Sequence, residues 1–89
     1  MKFEYDPKKA TANKKKHGLT LEEATKLWDV LSVQIQAKTI DEERFMIIGK
    51  LKGRCYSCIY TMRGHSIRLI SARRSRESEE NIYHAHIKT

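Results

Sequence analysis

At 89 residues the chain has room for one small domain with a modest hydrophobic core. Its 39% hydrophobic and 33% charged residues suit a folded chain better than a disordered one, and its apolar runs are too short for a membrane-spanning helix. A formal charge of +7 and a pI near 9.6 favour a polyanionic partner, nucleic acid first, over the plainer reading of a solvated surface.

The first residues, Met1 to Asp6, lack the apolar core of a secretory signal, so the expected setting is the cytoplasm of a bacterium, with no membrane partner. Lys2 to Tyr5 alternates and reads as a short edge strand. Asp6-Pro7 then opens a helix: Asp is a preferred N-cap, and the missing Pro N–H would be unpaired there anyway. This helix is expected to reach His17, with Gly18 as its left-handed terminator and Lys14, Lys15, Lys16 and His17 complementing the negative end of the dipole. Lys9, Asn13, Lys16 and His17 share one of its faces, and the glycine turn holds Lys16 and His17 in place.

Thr20 to Glu23 spells a capping box, and Leu21, Ala24, Leu27, Trp28 and Leu31 follow at helical spacing, predicting a second amphipathic helix of about ten residues. Trp28 reads as a packing anchor, not a base-stacking platform. Ser32 to Gln36 is a candidate strand, and Ala37 to Glu43 a polar connection. Arg44 to Lys50, Arg54 to Met62 and Ile67 to Arg74 read as strands joined by two tight turns, hence as antiparallel neighbours. Ser75 is the expected cap of a third helix. The fold class is therefore α+β: an antiparallel meander with two helices before it and one after, in a single domain spanning 1–89.

Cys55 and Cys58 have a C-x-x-C spelling, but on a strand residues three apart point to opposite faces, so two core thiols are expected rather than a metal site. His84 and His86, two apart on a helix, do not face each other, and no serine-hydrolase motif is present. Cations dominate instead. Antiparallel connectivity sets the end of the strand to Arg74 beside the start of the strand from Arg54, predicting a cluster of Arg54, Arg73 and Arg74. Such a cluster suits metal-free RNA cleavage, in which a 2′-hydroxyl attacks the adjacent phosphate and cations stabilise the phosphorane. No cofactor is called for. The alternative class is a non-catalytic basic module that binds RNA or an acidic partner.

Phe3-Glu4-Tyr5-Asp6-Pro7-Lys8-Lys9-Ala10, with Asn13 and Lys16-His17-Gly18-Leu19-Thr20, resembles the BrnT toxins of bacterial type II toxin–antitoxin systems. Glu43-Arg44-Phe45, Ile48-Gly49, Gly53-Arg54, Tyr60-Thr61, Arg63-Gly64 and the run from Arg68 to Arg74 continue the likeness in the same order. The resemblance implies a RelE-like ribonuclease that blocks translation. It also implies a BrnA-type ribbon-helix-helix antitoxin, through which alone operator DNA is contacted. Carried over by motif, the expected catalytic residues are Lys16, His17, Arg54, Arg73 and Tyr83, with Lys9, Arg44 and Arg74 holding RNA and no metal ligands.

Overall fold

The computed structural model describes residues 2–38 and 41–87. Strand β1 (Lys2–Glu4) leads into helix α1 (Pro7–His17), followed by α2 (Leu21–Ala24) and a 3₁₀ helix over Thr25–Asp29. Strands β2 (Ser32–Ala37), β3 (Arg44–Leu51), β4 (Arg54–Arg63) and β5 (Ser66–Arg74) come next, and α3 (Glu77–His86) closes the order. Part of the connection expected over Ala37 to Glu43 lies outside the described residues.

The local signals at the first helix act as their chemistry dictates. The Asp6 carboxylate accepts the Lys8 N–H at 2.9 Å, Pro7 opens α1, and Gly18, at φ +83°, donates its N–H to the Lys14 carbonyl. The capping box also forms: Thr20 Oγ1 accepts from the Glu23 N–H and the Glu23 carboxylate from the Thr20 N–H. The second helix is nevertheless shorter than its apolar spacing predicts. After Ala24 the chain tightens into the 3₁₀ helix, and Val30 is already extended. The tighter winding carries later residues off the α-helical stripe. Leu21, Ala24 and Leu27 are buried and Trp28 packs edge-on against Phe3 and Tyr60, but Leu31, expected in the core, is 65% exposed.

One five-stranded sheet runs in the order β1-β5-β4-β3-β2. β2 to β5 form the antiparallel meander, and β1 pairs parallel to β5 through Lys2, Phe3 and Glu4 opposite Ser66, Ile67 and Arg68. The meander thus has four strands, with β5 enclosed between β4 and β1 over its first residues. One face of the sheet packs under α1, α2 and the 3₁₀ helix through Ile47, Cys58, Tyr60, Ile67, Leu69 and Ala72. The other packs under α3 through Val33, Ile48, Cys55 and Tyr83. Cys55 and Cys58 accordingly sit in different clusters as free, buried thiols, and burial pushes the Cys58 thiol up to about 12.

The β4–β5 pairing contains an irregularity that governs the site. Ile59 lies opposite Ser71 but Tyr60 opposite Leu69, so Ile70 is an extra residue in β5. Beyond it, the inward-facing sequence Ile67, Leu69 continues at Ala72 instead of residue 71.

β1 accompanies β5 only as far as Arg68, and the backbone beyond is satisfied by a side chain. Asn13 Oδ1 accepts from the Ala72 N–H at 3.1 Å, while its Nδ2 donates to the carbonyls of Ala72 and Leu19, both at 2.8 Å. The Asn13 amide thereby stands in for a strand at this edge. The expected basic face of α1 is in fact split: Asn13 is buried, His17 half-buried, and Lys9 and Lys16 exposed. Asn13→Ala leaves the Ala72 N–H and C=O unpaired in a dry site and should cost about 2–3 kcal/mol. Asn13→Asp, which cannot donate to either carbonyl, should cost a comparable amount; a parental urea midpoint for either variant would contradict this role.

Candidate active site

Strand alternation sends two consecutive arginines to opposite faces, and the bulge decides which goes where. Arg73 lies opposite Ser57 on the α3 side, whereas Arg74 lies opposite Tyr56 on the α1 side. Arg54, paired with Leu51 and two residues before Tyr56, shares the α1 side with Arg74. The expected trio is therefore divided: Arg54 and Arg74 share one face of the sheet, and Arg73 lies on the other.

Arg73 is committed elsewhere. It donates from Nη1 and Nη2 to the two carboxylate oxygens of Glu79 in α3, each at 2.7 Å. The Glu79 Oε1 atom also accepts from Ser57 Oγ and from the Arg76 N–H, each at 2.9 Å. Burial is the largest single influence on this carboxyl and opposes its charge. The Arg73, Arg76 and Ser57 donors together outweigh it and hold the group at about 2, against an ordinary 4.5. Ser75, the expected helix cap, instead shares a hydrogen bond with Ser57 Oγ at 2.7 Å and donates its N–H to the Cys55 carbonyl. It thus extends the β ladder, and Arg76 takes the position before α3.

The end of the α1-side face that carries Arg54 and Arg74 is cationic and concave. A pocket of about 240 Å³ is lined by Lys14 and Gly18 of α1 and its terminating turn, Lys26 of the 3₁₀ helix, Lys52 of the β3–β4 turn, and Tyr56. Tyr56 also lies opposite Arg74, so this pocket adjoins the Arg54–Arg74 pair, and Lys16 and His17 immediately precede Gly18. Among the described residues neither Arg54 nor Arg74 has a carboxylate within 4.0 Å. Two guanidinium groups without acidic partners can take charge from a phosphodiester and from the phosphorane formed when it is attacked.

Three more expected residues lie elsewhere. Arg44 is at the opposite end of the sheet, beside Phe45 and its partner Tyr60, roughly 20 Å along β4 from Arg54. Its Nη2 is 3.9 Å from Glu42, and its Nε is buried without a hydrogen-bond partner among the described residues. Tyr83 is 7% exposed and packs in the cluster beneath α3, because the helix presents it to the sheet. Lys9 is exposed on α1, about 10 Å along the axis from Lys16. A second concavity of about 320 Å³, walled by Trp28, Phe45, Tyr60, Met62 and Ile67, opens at the β4–β5 turn.

Lys26, Lys52 and Tyr56 escaped the sequence reading. For Lys52 a signal existed: a two-residue Lys-Gly connection needs left-handed backbone at both positions, where Asn or Gly is preferred. Lys52 is at φ +54° and Gly53 at +79°, and Lys52 is the one non-glycine residue at positive φ among the described residues.

The family described as "Ribonuclease toxin, BrnT, of type II toxin-antitoxin system" matches residues 5–79. The chain belongs to the BrnT family. No curated protein matches it. For this BrnT chain, membership supplies ribonuclease activity, RNA as substrate and a protein antitoxin as partner. The matched segment runs from Tyr5, just after β1, into the first turn of α3 and ends at Glu79, so it includes both the cationic end and the Arg73–Glu79 pair.

The Glu79 carboxyl makes acid stability a direct readout of that pair. A carboxyl held below its unfolded value stabilises the fold above about 4.5 and loses that contribution as pH falls toward 2. Glu79→Gln should flatten the loss of stability across this window, and Arg73→Ala, which strands a nearly buried carboxylate, should cost about 2–3 kcal/mol at neutral pH. Urea titrations from pH 6 to pH 2 check both; an unchanged acid limb in Glu79→Gln would remove the pair from the account.

Proposed function

We propose that this BrnT chain is a metal-independent endoribonuclease that stops translation by cutting RNA, within a single RelE-like domain of the bacterial cytoplasm. The observation that supports the reading is that Arg54 and Arg74 share the α1 face next to a pocket bordered by Gly18, which Lys16 and His17 precede, and that among the described residues neither arginine has a carboxylate within 4.0 Å. In this scheme the two arginines orient the phosphodiester and stabilise the phosphorane. His17, or Lys16 in a neutral form, removes the 2′-hydroxyl proton, and the 5′-oxygen leaves with a proton from the other or from water. Lys9, exposed on the same helix, holds the flanking strand. Arg73 acts by positioning: it fastens α3 to β5 and so fixes the strand end that carries Arg74. Tyr83 supports that helix through packing, and Arg44 contributes positive charge away from the reacting phosphate.

A ribbon-helix-helix antitoxin is the proposed partner, with operator DNA engaged only through it. An acidic antitoxin segment that covers the cationic end would silence cleavage without altering the fold.

The test is cleavage of a single-stranded RNA in the presence of EDTA. Arg54→Ala and Arg74→Ala should each lower kcat/KM by about 10²-fold, as when one transition-state donor is removed. Their urea midpoints should stay parental, and expression of the parental chain without an antitoxin should arrest growth. Parental cleavage by both variants would displace the active site, and activity abolished by EDTA would make the enzyme metal-dependent. RNA binding without cleavage by the parental chain would favour the non-catalytic reading.

A further inference from the structure

We infer that the pocket of Lys14, Lys26, Lys52 and Tyr56 is a second phosphate subsite, holding the backbone phosphate next to the one at Arg54 and Arg74. This rests on the ribonuclease reading and assigns to the same RNA strand a site that the family match does not specify.

Three elements distant in sequence each bring one ammonium group to this concavity: α1, the 3₁₀ helix and the β3–β4 turn. The carbonyl end of α1 points toward the same place and alone would repel an anion, but Lys14, Lys15, Lys16 and His17 in its last turn reverse that field. Glu23 is the one carboxylate in the lining. Its Oε1 is already engaged by the Thr20 N–H at 2.8 Å and by Lys14 Nζ at 3.4 Å, so it orients Lys14 and leaves the pocket with two net positive charges. The Tyr56 phenol adds a neutral donor to a phosphate oxygen.

Lys52 is the independent observation. Its backbone sits in a conformation that costs a lysine and suits asparagine or glycine, and the chain nonetheless places an ammonium group there, beside the pocket. Clustered point charges of this kind suit a single diverging phosphate. An array of carboxylates on a protein would be met better by guanidinium forks. Continuity with Arg74 through Tyr56 makes the strand already held at the scissile phosphate the natural source of the second one.

The experiment measures binding of a 2′-O-methyl RNA oligonucleotide, which lacks the attacking hydroxyl, as a function of salt. Lys52→Asn and Lys26→Gln should each weaken binding several-fold at low salt. The double variant should flatten the plot of log affinity against log salt by about 0.7, one phosphate contact on a single strand. Lys52→Asn should keep or raise the urea midpoint, because asparagine fits the turn, so lost binding cannot be put down to unfolding. Parental affinity and salt slope in the double variant would overturn the subsite. So would variants that bind the oligonucleotide normally but lose affinity for an acidic antitoxin segment, since the pocket would then serve the protein partner. Cleavage of the unmodified strand by the parental chain is scored separately: if it fails, the ribonuclease reading falls, while the binding series still decides the pocket.

Discussion

Between Leu69 and Ser71, β5 carries one residue more than β4, and beyond that point its side chains exchange faces. A strict alternation from Ile67 and Leu69 would have put Arg73 on the α1 side and Arg74 beneath α3. The extra residue reverses both assignments. Arg73 then meets Glu79 and ties α3 to the sheet, and Arg74 comes to the same face as Arg54. Asn13 holds the rearranged strand from its open edge by taking both backbone groups of Ala72, two residues past the bulge. Core, helix docking and site geometry thus all pass through the same short piece of backbone.

The large positive charge of the chain is consequently not one pool. On the α3 side it is spent internally, in a pair shielded enough to hold Glu79 ionised against the cost of burial. At the α1-side end it is only partly compensated, by Glu23, in a concavity assembled from a helix terminus, a 3₁₀ helix and a tight turn. Residues that look alike on paper, Arg73 and Arg74 above all, therefore have different physical work. One is paired within the scaffold, and the other is exposed.

Much of this was legible beforehand. The caps at Asp6, Gly18 and Thr20, the strand boundaries, the antiparallel order from β3 to β5 and the separation of Cys55 from Cys58 all follow from local chemistry or from the period of two along a strand. Those rules act over a few residues and carry their own signature in the chain. The shortened second helix, the exposure of Leu31 and the parallel docking of β1 do not, because each depends on what packs against the segment.

Sequence by itself determined the α+β class, the basic character and the likeness to BrnT toxins, since composition, periodicity and ordered motifs need no third dimension to be read. Only the tertiary structure decided which cations share a surface. A bulge has no spelling of its own: it arises where strand register, a small residue at Ala72 and the amide of Asn13 are satisfied together, and residues 59 positions apart must meet before that choice is made.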